Sequence, residues 1–188
     1  MKRLFIAISF HPDEQIINLI PRLRSSMSKL DKVNWVNANL FHLTLKFIGN
    51  FKEDNLPQLI EKIRFCTTPV SPFQFELDQI KAFGSQYHPR VIILSTKENT
   101  NLQHLHSLLE QQLRLLGIKK DVGNFVPHLT LARIHQIDDR KMFWDAIHRN
   151  QLSQPIPVQV NEIVLYESIL TKGYQPQYIA LQKFPLKK

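Results

Sequence analysis

The sequence predicts an α+β fold of two similar halves, with antiparallel sheets facing each other across a groove and helices on the outside. Three observations predict it. Strand-like alternation and helix-like spacing follow one another in the order strand, helix, strand, helix, strand, and that order occurs twice. The tetrapeptide His-Leu-Thr-Leu lies in the middle strand of each set, at 42–45 and 128–131. The first strand of each set opens 39 and 38 residues before its histidine, from Arg3 to His42 and from Arg90 to His128.

Each element has its own signature. Residues 3–9 (RLFIAIS) form an apolar run that reads as a buried strand. Ile16, Ile17, Ile20, Leu23 and Met27 are spaced as on a helix over 13–29, with Pro21 as a kink. Residues 41–48 and 72–80 alternate as strands and enclose a helix over about 53–65. In the second set, 90–95 is a strand. Leu102, Leu105, Leu109, Leu113 and Leu116 then stripe a helix that ends near Gly117. A strand at 128–134 and a helix at 139–149 follow, and strands at 156–166 and 176–183 close the chain. No Pro/Gly/Ser-rich linker separates the halves, about 1–85 and 86–188. Residues 1–188 are therefore expected to form a single domain.

Composition narrows the classes of function. Apolar residues make up 43% and charged residues 21%, an ordinary globular balance. No apolar run reaches the roughly 20 residues needed to cross a bilayer, so no membrane partner is expected. The opening MKRLFIAISF resembles a signal peptide, but its apolar part is too short and no small-residue cleavage site follows. Cys66 is the only cysteine, which fits a reducing cytoplasm. Lysine and arginine outnumber acids by 24 to 16, for a net charge of +8. A basic surface attracts polyanions, RNA among them. With five glycines and neither a GxxxxGK[ST] nor a GxGxxG pattern, nucleotide-binding loops are excluded, and any ligase activity is expected not to resemble that of ATP-dependent enzymes.

The repeated tetrapeptide carries the chemistry. Side chains two apart in a strand share a face. His42 and Thr44 therefore point one way while Leu43 and Leu45 point into the core. His128 and Thr130 do the same against Leu129 and Leu131. A lone His-x-Thr would be an ordinary half-exposed strand face. Two copies at equivalent places call for more, because packing accounts for Leu-x-Leu and not for the outward pair. An approximate two-fold axis would bring all four polar side chains together. That set suits a cyclic phosphodiester. One histidine takes a proton from water and the other gives one to the leaving oxygen. The threonine hydroxyls donate to the non-bridging oxygens. Strict alternation adds Lys46 to the same face. No metal or other cofactor is needed.

The chain resembles the two-histidine (2H) phosphoesterases, and within them the RNA 2′,3′-cyclic phosphodiesterases, also called 2′-5′ RNA ligases. The resemblance rests on RLFIAI at 3–8, Trp35 before FHLTLKFIG at 41–49, PRVIIL at 89–94, FVPHLTLAR at 125–133, and LYES followed by Gly173 and Tyr174. Val126 stands where relatives often have arginine. The resemblance implies two pseudo-symmetric lobes around a central cleft. It implies conversion of an RNA 2′,3′-cyclic phosphate end to a 2′-phosphomonoester, with weak reversible 2′-5′ joining of tRNA fragments. It further implies that His42 is the proton donor, that His128 is the proton acceptor, and that Arg133 reaches the phosphate. Strict alternation would instead put Arg133 on the core side of its strand.

Phe5 and Tyr174 are candidates for stacking a terminal base. The chain is expected to act as a monomer. His104 and His106 lie two apart on a helix and read as surface residues, and Cys66 reads as a small buried residue.

Overall fold

The computed structural model describes residues 1–9, 11 and 13–187. Along these the chain forms β1 (Lys2–Ser9), α1 (Glu14–Ser25), β2 (Lys32–Trp35), β3 (His42–Phe51), α2 (Leu56–Thr67), β4 (Phe73–Gly84) and β5 (Pro89–Thr96). It continues through α3 (Thr100–Arg114), β6 (His128–Gln136), α4 (Arg140–Arg149), β7 (Ile156–Val160), β8 (Glu162–Ile169) and β9 (Gln177–Pro185). Three of the helices start where a side-chain oxygen caps a free backbone N–H. Asp13 accepts from Gln15, Asn99 from Leu102 and Asp139 from Met142. Helix α1 runs through Pro21 to Ser25. The strand expected over 156–166 is two strands that break at Asn161, and the four-residue β2 was too short to show as an alternating run.

All strand pairs are antiparallel and form one nine-stranded sheet in the order β7-β4-β5-β6-β3-β1-β8-β9, with β2 also paired to β6. The order has an internal symmetry. One arm is β3-β1-β8-β9 and the other is β6-β5-β4-β7. Ser9 lies opposite His42 in the first arm, and Ser95 lies opposite His128 in the second. Both members of the second pair stand 86 residues after those of the first (9 to 95, 42 to 128). The repeats are thus superposable in register.

The arms are not the two halves of the sequence. Strand β4, the last of the first repeat, pairs with β5 of the second repeat, and β8 returns to pair with β1. The first repeat gives β4, and the second gives β8 and β9, to the other arm. A division near residue 85 therefore falls inside the β4–β5 hairpin.

All four helices contribute to one hydrophobic cluster. Leu4, Ile6 and Ile8 of β1, Leu43 and Leu45 of β3, and Leu129 and Leu131 of β6 meet Ile16, Leu19, Ile63, Leu105, Leu109 and Phe143 there. Phe5 and Ala7 stay outside that cluster on the other face of β1. The helices thus cover one face of the sheet, and the other face is left to line the cleft. Cys66 is buried in the same core.

Gly84 closes the β4–β5 hairpin at φ +114°, a conformation open to glycine and strained for other residues. A Cβ there would stand 2.4 Å from the backbone oxygen of His88. Gly84→Ala is expected to destabilise the fold by about 2 kcal/mol, read as a lower urea midpoint at an unchanged denaturant slope.

Candidate active site

The two arms join where Leu43 of β3 pairs with Leu129 of β6. Both leucines are buried in the core, so the residues on either side of them face the cleft. In antiparallel register His42 falls beside Thr130, and Thr44 beside His128. All four are half-buried. Diagonal neighbours across such a pair stand about 7–8 Å apart, a span that one phosphate group can bridge. The convergence expected from the repeated tetrapeptide is therefore present.

Each histidine is held in the same way. His42 donates from Nδ1 to the carbonyl of Leu40 at 2.7 Å, and His128 donates from Nδ1 to the carbonyl of Val126 at 2.7 Å. A carbonyl oxygen can only accept, so Nδ1 carries the proton and Nε2 is left for the cleft. Aromatic rings pack against both imidazoles. Phe5 and Tyr178 stand 5.0 and 5.1 Å from the His42 ring, and Phe83 stands 4.8 Å from that of His128. Burial holds His42 below its usual pKa of 6.5. Its backbone hydrogen bond partly opposes this, and the positive charges of His128 and Arg133 push it lower. Burial lowers His128 as well, with the same partial opposition and a further push from Arg133.

A bulge in each central strand decides what else reaches the cleft. Ile6 pairs with Lys46 and Ala7 with Thr44, so Leu45 has no partner on β1. At the equivalent place Ile92 pairs with Ala132 and Ile93 with Thr130, which leaves Leu131 out. Two successive residues then turn toward the core, and the alternation resumes out of phase. Lys46 is 1% exposed and lies on the core side, so the expectation that it shares the face of His42 and Thr44 is corrected. Arg133 moves the other way. It is exposed, and its charge acts on His42, His128 and Tyr178. The bulge thus brings it to the cleft face that strict alternation denied it. The consecutive apolar pair Leu131–Ala132 is the trace of this bulge in the sequence.

Phe5 lies on the cleft face and touches His42, Tyr166 and Tyr178. Tyr174 sits in the β8–β9 loop, is 79% exposed and takes no part in this aromatic cluster. Tyr178, four residues later, fills that place. Sequence reading missed Tyr178, Tyr166 and Phe83. Tyr166 pairs with Phe5, and Phe83 pairs with Val91, which is the equivalent of Phe5 86 residues on. An aromatic residue at the same register of both exchanged strands was the available signal.

Lys46 organises a polar network under the cleft. Its ammonium donates to the Glu110 carboxylate, to the Lys119 carbonyl at 2.8 Å and to Asp121 Oδ1 at 2.8 Å. His106 is buried and not a surface residue. It donates from Nδ1 to the unpaired bulge carbonyl of Leu45 at 2.9 Å and stacks on Phe125 at 4.0 Å. His106, Glu110 and Asp121 bring potential metal-ligand atoms within 4.8 Å of one another. The Lys46 ammonium is already the counter-charge there. The network ties β3 to the segment 119–126, whose Val126 carbonyl orients His128. In the other arm the bulge carbonyl of Leu131 instead accepts from the Val36 N–H at 2.9 Å. Gln175 of the β8–β9 loop braces that segment, donating to the Trp35 carbonyl and accepting from the Asn37 N–H.

The sequence model of a family described as the 2′-5′ RNA ligase superfamily matches residues 12–170. The chain belongs to the 2′-5′ RNA ligase superfamily. Two relatives are each named RNA 2′,3′-cyclic phosphodiesterase. That of Methanocaldococcus jannaschii is 29% identical over 169 residues, covering 90% of this chain and 92% of its own. That of Aquifex aeolicus is 26% identical over 190 residues, covering 99% of both. Two solved structures share the fold. TT0787 of Thermus thermophilus superposes with a TM-score of 0.77 at 24% identity, covering 98% of each chain. Escherichia coli LigT complexed with 3′-AMP gives 0.75 at 23% identity, covering 100% of this chain and 99% of that one. The doubled His-x-Thr therefore sits, in this superfamily member, on a scaffold shared across its full length.

The Lys46 network makes a stability prediction. Lys46→Met leaves the Glu110 and Asp121 carboxylates side by side with no cation, and Glu110 is almost fully enclosed. The loss is expected to be about 3 kcal/mol by urea unfolding. Adding Glu110→Gln to that variant is expected to recover part of it, because one of the uncompensated charges is removed.

Proposed function

We propose that this protein hydrolyses the 2′,3′-cyclic phosphate at the end of an RNA to a 2′-phosphomonoester, without a metal. One observation carries the reading. Two histidines with the same Nδ1–H anchor present free Nε2 atoms to one cleft from adjacent strands. The names of the curated relatives and the net charge of +8 support an RNA substrate. Ends of cleaved RNAs, tRNA fragments among them, are the substrates envisaged. Weak reversible 2′-5′ joining is the same displacement with an RNA 5′-hydroxyl in place of water as the nucleophile. The single cysteine, buried and unpaired, favours a cytoplasmic setting. No helix among the described residues is long and apolar enough to cross a membrane.

His128 Nε2 takes a proton from a water as the water oxygen bonds to phosphorus. The bond from phosphorus to O3′ breaks, and His42 gives its Nε2 proton to O3′. The phosphate stays on O2′. The net proton shift from His42 to His128 is undone through solvent before the next turnover. Thr44 and Thr130 donate to the non-bridging oxygens, and Arg133 offsets their charge. The positive field of Arg133 also favours an anionic ligand between the two imidazoles.

His42→Ala and His128→Ala are each expected to lower turnover by about 10²–10⁴-fold on an RNA ending in a 2′,3′-cyclic phosphate, assayed in EDTA. Both variants should keep the wild-type melting temperature within a few degrees. On an aryl phosphodiester, whose leaving group needs no proton, the His42→Ala defect shrinks and the His128→Ala defect persists. The opposite pattern swaps the two roles, and near-normal turnover of either variant on RNA removes the two-histidine mechanism.

The proposal also fixes a pH profile. Catalysis needs one imidazole protonated and the other neutral. Both pKa values lie below 6.5 in the free protein, so the singly protonated pair is most populated below pH 6.5. Repulsion between the two charges delays the second protonation and widens that window. A bell-shaped kcat/KM with its maximum below pH 6.5 is expected. A maximum above pH 7 would contradict it.

A further inference from the structure

We propose that the cleft continues past the histidines into a docking site for the body of a single-stranded RNA, built around Phe47 and Arg3. This rests on the function just proposed and makes an oligonucleotide, not a lone nucleoside 2′,3′-cyclic phosphate, the preferred substrate. The bulge at Leu45 puts Phe47 on the cleft face. Phe47 pairs directly with Phe5, whose ring touches His42, and paired residues share a face. Phe47 lies five residues along β3 from His42, about 16 Å at strand spacing. It is 45% exposed, and the Arg3 guanidinium stands 5.0 Å from its ring centre. An aromatic ring with a stacked guanidinium is a platform that any base can join.

The surroundings suit a phosphate backbone. Past the Leu43–Leu129 bridge β6 turns to β2, and no strand covers that edge of β3 among the described residues. The gap holds a cavity of about 550 Å³ lined by Phe47, Lys52, Lys119, Lys120 and Asp121, whose carboxylate is held by the Lys46 ammonium. Among the described residues none of the three lining lysines, nor Arg3, is paired with a carboxylate. The opposite end of the cleft, beside Ser9 and Tyr178, offers His11 and Lys183, and Glu162 already holds Lys183 at 2.8 Å. A cyclic phosphate closes the 3′ end of an RNA, so the rest of the chain leaves in one direction only. Arg133 and Lys81 of the other arm are likewise unpaired among the described residues, but the residue equivalent to Phe47 there is Arg133, so the exposed aromatic platform marks the direction as the Phe47 end.

The test compares cytidine 2′,3′-cyclic phosphate with a tetranucleotide carrying the same end. Wild-type kcat/KM is expected to be at least tenfold higher on the tetranucleotide. Phe47→Ala should remove that advantage by raising its KM on the order of tenfold, while kcat/KM on the mononucleotide changes less than about twofold. Equal efficiency of the wild type on both substrates, or equal loss on both in the variant, overturns the proposal. Fluorescence anisotropy of a labelled tetranucleotide ending in a 2′-phosphate tests the site without catalysis. Weaker binding by Phe47→Ala and Arg3→Gln supports it. A smaller salt slope in Lys119→Gln/Lys120→Gln, by roughly 0.7 per lost contact, supports it too. An unchanged dissociation constant and slope overturn it even if the protein proves inactive on both substrates.

Discussion

A single backbone bridge, Leu43 to Leu129, sets the geometry of this protein. It is the one place where the two arms of the sheet are paired through β3 and β6, and the histidines flank it. Side chains next to a paired residue point to the opposite face, so burying the two leucines aims two histidines and two threonines into the cleft. Shifting either strand by one residue would exchange its leucines with its His/Thr pair and bury that strand's site imidazole without a partner. Site and core are thus specified by the same register. The paired bulges two residues later turn Arg133 and Phe47 toward the cleft and Lys46 toward the core.

The duplication gives two equivalent histidines, and the surroundings make them unequal. The segment before His42 is held by backbone pairing to the Leu131 bulge and by Gln175 from the β8–β9 loop. The segment before His128 is held by charge, through Lys46, Glu110 and Asp121, and by the stack of His106 on Phe125. The residue equivalent to Lys46 is Ala132, so the second repeat has no counterpart to this buried cation. Aromatic contact differs as well. His42 has two rings against it and His128 has one. A reaction with distinct donor and acceptor roles needs such inequality, and here it comes from the loops and exchanged strands, not from the motifs.

The low pKa values follow from the same enclosure. Apolar rings and strand backbone strip water from both imidazoles, which disfavours their charged forms. Arg133 adds to this. An anionic phosphate placed among these groups reverses the sign of the local field and makes retention of one proton favourable. Under the proposed reaction, binding of an anionic substrate would therefore favour the protonation state that catalysis requires.

Much of this was legible in the chain. Alternation and helical spacing gave the order of elements, because each buries one face against the common core. The repeated His-x-Thr gave the facing polar set, because strand period is local. Pairing between distant segments is not local. That β4 and β8 change arms, that β7 and β8 separate at Asn161, and that β2 joins β6 depend on contacts far apart in sequence. The bulges show the limit most clearly. One unpaired residue reverses every facing beyond it, which sent Lys46 into the core and Arg133 into the cleft against a strict reading of the strand. His106 likewise read as a surface residue until the bulge left the Leu45 carbonyl without a strand partner. The sequence by itself determined which residue types face together over two or three positions. Only the tertiary structure decided where that local rule is broken, because a bulge is fixed by the partner strand.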